Sequence, residues 1–190
     1  MINIIAGTFK GRKIQTPKGD KTRPTSGILR KAVFDICRRE VDGAYFLDLF
    51  AGSGAMGLEA ISRGATHATF VEKDLNAIRS IKENISSLQI ETQTTVLMKD
   101  VPLSLKGLAA QGKQFNIIYI DPPYDIAGRI LPGIVTFIDE NNLLAKEGTL
   151  FIEEASPSAF EENPFNLKNL TLKNTRRFSH SLLHQYKTKE

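Results

Sequence analysis

Three features of the sequence predict an α/β fold with a mostly parallel seven-stranded sheet and helices on both faces. Short apolar runs alternate strictly with helical stretches after Gly43, which favours parallel strands joined by helical crossovers. A glycine-rich turn sits directly between one such run and the helix after it. Near the C-terminal end two strand-like runs succeed each other without a helix, so the sheet is expected to finish in an antiparallel pair. The 190 residues read as one domain, with residues 1–40 as a basic extension of a β-hairpin plus a helix and residues 41–190 as the core. No internal repeat, low-complexity tract or linker interrupts it.

The elements run in order from the N-terminus. "INII" and "GRKIQTP" form two short strands about a turn at "GTFKG", a hairpin expected to lie outside the main core. "KGDKTRPTS" is a loop rich in turn formers and charge. From 26 to 40 the apolar residues Ile28, Leu29, Ala32, Val33, Ile36 and Cys37 recur at helical spacing, with Thr25 or Ser26 as N-cap. Arg30, Lys31, Arg38 and Arg39 fall mostly on the other side and give this helix a basic face. The strands of the core are "AYFLDLF", "ATFVE", "TTVLM", "FNIIYI" and "GTLFIE", with helices near 55–63, 75–88, 101–110 and 128–140 between them. "EEASPSAFEENP" reads as an acidic surface loop, and "NLTLKNTRRF" and "SLLHQYK" are the closing strand pair.

Composition narrows the classes of function. With 41% hydrophobic and 24% charged residues the chain is an ordinary globular one, and its apolar runs are too short to span a membrane. "MINIIAG" lacks the basic start and apolar length of a secretory signal, and the single Cys37 precludes an internal disulfide, both of which fit the cytoplasm. The formal net charge of +4 is unevenly placed: residues 1–40 carry +7 and the rest −3. A cationic arm on a mildly anionic body is the footprint of a nucleic-acid partner, or else a merely solvated lysine-rich terminus.

"FLDLFAGSGAMGLEA" places Gly52, Gly54 and Gly57 between a strand and a helix. Glycines there permit a tight turn and a close ligand, and the helix start offers free amides. The G-x-G-x-x-G spacing, with Glu72 ending the next strand, also suits a nicotinamide dinucleotide. Two residues favour S-adenosylmethionine instead. Asp48, four residues before the first glycine, is adverse beside a pyrophosphate but suits a cationic ligand, unless it serves as a partner for the helix or loop. Glu72 is placed to accept both ribose hydroxyls. Asp100, after the third strand, is either an acceptor for the adenine amino group or a helix N-cap.

The fourth strand runs into "DPPY", residues 121–124. In an open α/β sheet ligands lie beyond the carboxyl ends of the strands, so this tetrapeptide is expected on the same rim as the glycine turn. An exocyclic base amine is a poor nucleophile because its lone pair is delocalised into the ring. Acceptance of its two hydrogens by the Asp121 carboxylate and the Pro122 carbonyl favours the geometry in which the lone pair faces a methyl donor. Pro122 and Pro123 fix the backbone, and Tyr124 is placed to stack on an unstacked base. The bland alternative is a turn that stops a strand.

These residues resemble the RsmD-type small-subunit ribosomal RNA methyltransferases, class I enzymes with a Rossmann-like core. The resemblance rests on "IIAGTFKGRKIQTPKG", "TRPTS", "FLDLFAGSGAMGLEAISRGA", "FVEKD", "DPPY" and "RRF". It implies methyl transfer from S-adenosylmethionine to the N2 amine of one 16S guanine, with ribosomal RNA or an assembling small subunit as partner and a monomer as the working form. It implies that Asp48, Phe50, Ala51, Gly52, Ser53 and Gly54, with Glu72, Lys73, Asp100 and Val101, hold the cofactor. Asp121, Pro122, Pro123 and Tyr124 would form the amine site, and Arg12, Lys13, Arg23, Thr25 and Arg30 the RNA contacts. Departures from the family pattern occur at Gly27, Ile28 and Lys31 and at Ser179, in the RNA-facing arm and near the end of the chain. "DPPY" alone is shared with DNA adenine methyltransferases, so an amino group in DNA or another RNA, adenine N6 included, is an alternative acceptor. A nicotinamide-dependent dehydrogenase would leave "DPPY" without work, and a non-catalytic RNA-binding factor would leave Asp121 and Tyr124 so. Cys37, on an apolar helix stripe, is a core residue rather than a nucleophile, and His180 and His184, four apart on a strand, do not converge on a metal.

Overall fold

The computed structural model describes residues 2–17, 26–155, 165–178 and 181–189. The chain opens with β1 (Ile2–Asn3), β2 (Lys13–Ile14) and α1 (Gly27–Ile36). The core comprises β3 (Tyr45–Leu49), α2 (Ala55–Ser62), β4 (His67–Val71), α3 (Leu75–Leu88), β5 (Thr94–Leu97), α4 (Val101–Ala110), β6 (Phe115–Ile120), α5 (Tyr124–Glu140) and β7 (Leu144–Ala155). It closes with β8 (Leu170–Phe178) and β9 (Ser181–Thr188). The seven core strands form one sheet in the order β5-β4-β3-β6-β7-β9-β8, parallel from β5 to β7, with β9 inserted antiparallel between β7 and β8. This is the expected α/β architecture.

Why the strands read as continuous apolar runs is clear from their two faces. Phe46, Ile117, Tyr119 and Phe151 pack toward α1, α2 and α3, whereas Leu47, Leu49, Ile118, Ile120, Leu150 and Ile152 pack toward α4 and α5. Both faces are covered, so successive residues are all buried. The chain moves outward through β3, β4 and β5 and then returns to place β6 on the other flank of β3. That reversal opens a crevice at the carboxyl ends of β3 and β6.

Several boundaries differ from the sequence expectation. Ser26, one of the two expected N-caps, caps α1, its hydroxyl accepting from the Leu29 amide at 3.2 Å, but the helix stops at Ile36 rather than continuing to 40. The last helix of the core begins at Tyr124 instead of 128, so "DPPY" is a helix start as well as a strand end. β7 begins four residues before "GTLFIE". Glu153 and Glu154, read as part of an acidic surface loop, are buried in β7: Glu153 accepts from the hydroxyls of Tyr119 and Ser181, and Glu154 pairs with His184 Nε2 at 3.0 Å. Residues 156–164 of that segment lie outside the described residues, as do Ser179 and His180.

The N-terminal hairpin is part of the core and not an appendage. Ile4 and Ile14 are buried among residues of α1, α2 and α3. Glu59 of α2 is 0% exposed and gathers the extension around one carboxylate. Its oxygens accept from the amides of Ile5 at 2.8 Å and Ala6 at 3.0 Å and from Arg63 Nε at 2.8 Å, with Arg30 Nη1 at 3.8 Å. Ser62 adds its hydroxyl to the Ala6 carbonyl at 2.6 Å and its own carbonyl to the Thr8 amide at 2.7 Å. Gly7, at φ 81°, lets the chain pass so closely that a Cβ there would lie 1.7 Å from the Ser62 carbonyl oxygen.

The basic face assigned to α1 needs correction at Arg30. This residue is 3% exposed, and Nη1 donates to the Asn3 carbonyl at 3.2 Å as well as facing Glu59. Helical periodicity put it opposite the apolar stripe, but the hairpin covers that side too. Arg30 therefore holds the extension together and is not part of the exposed basic face.

Removing the shared carboxylate should leave the buried Arg30 guanidinium without its counter-charge, and Arg63 Nε and two amides without their acceptor. Glu59→Ala is expected to lower the unfolding free energy in urea by about 3–5 kcal/mol, and Glu59→Gln by less. A loss below about 1 kcal/mol would contradict this role.

Candidate active site

The last paired residues of the parallel strands are Leu49 with Val71, Val71 with Leu97, and Leu49 with Ile120. The segments just beyond the strands therefore fall on one rim: Phe50 to Gly54 after β3, Glu72 after β4, Asp100 beyond β5 and Asp121 to Tyr124 after β6. Backbone bonds join these ends. The Ala51 amide donates to the Val71 carbonyl at 3.1 Å, the Glu72 amide to Leu97 at 3.2 Å and the Asp121 amide to Leu49 at 3.4 Å.

The glycine turn is held by three departures into the left-handed region, at Phe50 (φ 62°), Gly52 (φ 53°) and Gly54 (φ 77°). A Cβ on Gly52 would meet nothing within 4 Å, so its backbone borders open space where a ligand can approach. A Cβ on Gly57 would lie 2.3 Å from the Phe70 ring, which makes Gly57 a packing glycine between α2 and the sheet.

Two carboxylates flank the turn. Glu72, half-buried, accepts from the Gly52 amide at 2.9 Å through Oε2 and from the Lys73 and Asp74 amides at 2.8 and 2.9 Å through Oε1. Amide donors on both oxygens fix its direction on the rim. Asp48 lies beneath the turn, 2% exposed, and accepts from the Gly57 amide at 3.0 Å. Burial raises its pKa to about 8 against the lowering by that amide, and the charge of Glu72 pushes the same way as burial. A cation brought close would draw it down again. Asp48 is thus a partner of the first turn of α2 and a stored carboxyl at once.

Asp100 is exposed and caps α4, accepting from the Leu103 amide at 2.9 Å, while Val101 is buried behind it. At the fourth strand Pro122 is buried, and Pro123, as N-cap of α5, presents its carbonyl to the amides of Ile126 and Ala127, both at 3.1 Å. Tyr124 stands 52% exposed beside the half-buried Asp121. The two prolines therefore lie in a corner that is anchored to β3 on one side and to α5 on the other.

The arm residues separate into three groups. Arg12 and Lys13 are exposed, with Arg12 Nη2 donating to the Ser87 carbonyl at 2.8 Å. Arg23 and Thr25 lie outside the described residues, and Arg30 is buried beneath the hairpin. Sequence reasoning missed Asn84, an amide in mid-helix that bonds to the glycine turn. It also missed Leu75, Met98 and Leu103, which stand exposed after β4 and β5. A large apolar residue soon after a strand end was the available signal for these three.

Among the described residues no group of three or more His, Cys, Asp or Glu is arranged to hold a metal ion, and no helix is long and apolar enough to cross a membrane. The Cys37 thiol is buried, donates to the Val33 carbonyl at 3.2 Å and is pushed up to about 12 by burial, so it offers no thiolate nucleophile. The carboxylates of Glu72 and Asp48 and the exposed apolar side chains of Leu75, Met98 and Leu103 give the rim groups suited to a ligand with hydroxyls and positive charge.

The family described as "Conserved hypothetical protein 95" has a model that matches residues 2–187 of this chain. A Bacillus subtilis protein named "Putative rRNA methyltransferase YlbH" is 36% identical over 152 residues, covering 80% of this chain and 82% of that protein. "Ribosomal RNA small subunit methyltransferase D" of Escherichia coli is 32% identical over 165 residues, covering 87% and 80%. The solved structure titled "Putative methyltransferase yhhF from Escherichia coli" superposes with a TM-score of 0.83 at 28% identity, over 99% of this chain and 98% of that one.

The raised pKa of Asp48 gives stability a pH dependence of defined sign. Between the ordinary carboxyl value near 4 and about 8, the folded chain keeps a proton that the unfolded chain releases, so stability falls as pH rises through that window. Asp48→Asn keeps an acceptor for the Gly57 amide and removes the titration. Urea unfolding from pH 4 to 8 should show the variant gaining on the parent as pH rises; parallel curves would refute the raised value.

Proposed function

This chain belongs to the Conserved hypothetical protein 95 family of RsmD-type methyltransferases, enzymes that use S-adenosylmethionine, and on that premise we propose that it methylates the exocyclic N2 amine of a guanine in small-subunit ribosomal RNA. The observation that carries the reading is the meeting of the glycine turn, Glu72 and Asp121 on one rim, stitched by the Asp121 to Leu49 bond. Ribosomal RNA as the substrate is supported by the names of the relatives. The choice of guanine N2 over adenine N6 rests on the family resemblance.

In this reading the adenosine ribose lies on Glu72, its hydroxyls donating to the carboxylate. The adenine ring lies between the apolar side chains beyond β4 and β5, near Asp100 and Val101. The sulfonium and amino groups face the turn formed by Phe50, Ala51, Gly52, Ser53 and Gly54, above Asp48, with Lys73 at the outer edge. The acceptor base stacks on Tyr124, and its amine donates one hydrogen to the Asp121 carboxylate and one to the Pro122 carbonyl. The lone pair then faces the methyl group. As the nitrogen–carbon bond forms, the carbon–sulfur electrons pass to sulfur and S-adenosylhomocysteine results. The methylated amine loses its proton to Asp121 or to water. Acceleration comes from placement and electrostatics, without a covalent enzyme intermediate.

Arg12 and Lys13, with Arg23 and Thr25, are the proposed RNA contacts. One catalytic domain, a monomer, a cytoplasmic location and an assembling small subunit as partner complete the proposal.

Two variants separate the roles. Asp121→Ala should reduce methyl transfer on the order of 10²- to 10³-fold or more while the affinity for S-adenosylhomocysteine, read by calorimetry, stays within about threefold of the parent. Glu72→Ala should weaken that affinity about 10- to 100-fold through loss of charge-assisted hydrogen bonds. Unchanged turnover in Asp121→Ala would refute the amine site. Labelled methyl groups appearing in DNA and not in small-subunit RNA would overturn the substrate.

A further inference from the structure

The amide of Asn84 lies where the N-terminal extension and the glycine turn meet. It is 1% exposed, in the middle of α3. Oδ1 accepts from the Gln15 amide at 2.7 Å, and Nδ2 donates to the Gln15 carbonyl at 2.9 Å and to the Ser53 carbonyl at 3.1 Å. Both main-chain groups of Gln15 are thus held by one side chain, much as a neighbouring strand would hold them. The same side chain holds the middle residue of the glycine turn.

Each end has a role in the proposed reaction. Gln15 lies two residues beyond Lys13, and the Arg12 guanidinium is fixed one turn further along the same helix at the Ser87 carbonyl. Ser53 lies between Gly52 and Gly54, both at positive φ, and its carbonyl shares a peptide plane with the Gly54 amide, which closes the turn by donating to the Ala51 carbonyl at 2.7 Å. The Gly52 amide bonds to Glu72 at 2.9 Å. Packed in the core, Asn84 has no room to follow one partner without moving the other.

We propose that Asn84 is a positioning residue that couples the basic arm to the cofactor turn, so that RNA on the arm and S-adenosylmethionine in the turn tighten each other's binding. The coupling rests on the functional reading above, and by linkage it is reciprocal. Its chemistry requires a primary amide: a group that accepts from the Gln15 amide and donates to both the Gln15 and the Ser53 carbonyls. Alanine supplies neither. Aspartate keeps the acceptor for the Gln15 amide but puts an oxygen against both the Gln15 and the Ser53 carbonyls, which breaks the link to the turn and leaves the arm held by one bond.

Calorimetry of S-adenosylhomocysteine, with and without saturating unmethylated small-subunit ribosomal RNA, tests it. In the parent protein RNA should tighten the cofactor product about 5-fold or more, and S-adenosylhomocysteine should tighten RNA by the same factor. In Asn84→Asp and Asn84→Ala the factor should fall below about twofold. Should both variants fail to fold, hydrogen exchange on the parent decides: RNA alone should slow exchange of the Gly52, Ser53 and Gly54 amides. A factor of one in the parent with both ligands bound, a parental factor in folded variants, or exchange untouched by RNA would each overturn the coupling and leave the methyltransferase reading intact. Failure of the parent to bind either ligand would overturn both.

Discussion

The register of two parallel strands, β3 and β6, decides where the Asp-Pro corner falls relative to the glycine turn. Leu49 lies opposite Ile120, and the next amide, that of Asp121, still reaches the Leu49 carbonyl. Because side chains alternate across a strand, a slip of one residue would send every buried apolar residue of β6 to the wrong face. The two hydrophobic layers that meet this sheet therefore fix the position of Asp121 to within a residue. The Asp-Pro corner is placed by packing of the sheet against its two helical layers.

The same rim explains why the glycines are spaced as they are. Gly57 is demanded by the Phe70 ring, whereas Gly52 is demanded by its positive φ and its missing side chain would meet only open space. Beneath them Asp48 is caught between two requirements: the first turn of α2 needs an acceptor, and burial penalises the charge. A cationic ligand would relieve that conflict, and a pyrophosphate would deepen it. The N-terminal extension joins the same arrangement through Glu59 and Asn84, which bind its backbone to α2 and α3.

Much of this was legible in the sequence because periodicity and strand ends are local properties. The helices at 75–88 and 101–110, the five core strands and the closing pair are set by apolar spacing, and Glu72 and "DPPY" by their positions at strand ends. What escaped depends on partners distant in the chain. Arg30 reads as a solvent-facing charge until the hairpin is seen to cover it, and Glu153 and Glu154 read as acidic surface until Tyr119, Ser181 and His184 are seen beside them. Asn84 resembles any polar helix residue, since its partners lie 69 and 31 positions away. The early start of α5 was hidden because two prolines suit a turn and a helix start equally well.

In the proposed reaction, donor and acceptor meet at the β3 and β6 rim. A crystal structure of the chain with S-adenosylhomocysteine bound tests it most directly. The account predicts the ribose hydroxyls on the Glu72 carboxylate and the sulfur turned toward Asp121 and Pro122, with space for an amine nitrogen about 3–3.5 Å from the methyl carbon to be transferred. A ligand seated away from Glu72, or a sulfur pointing toward β4 and β5 with Asp121 out of reach, would contradict it.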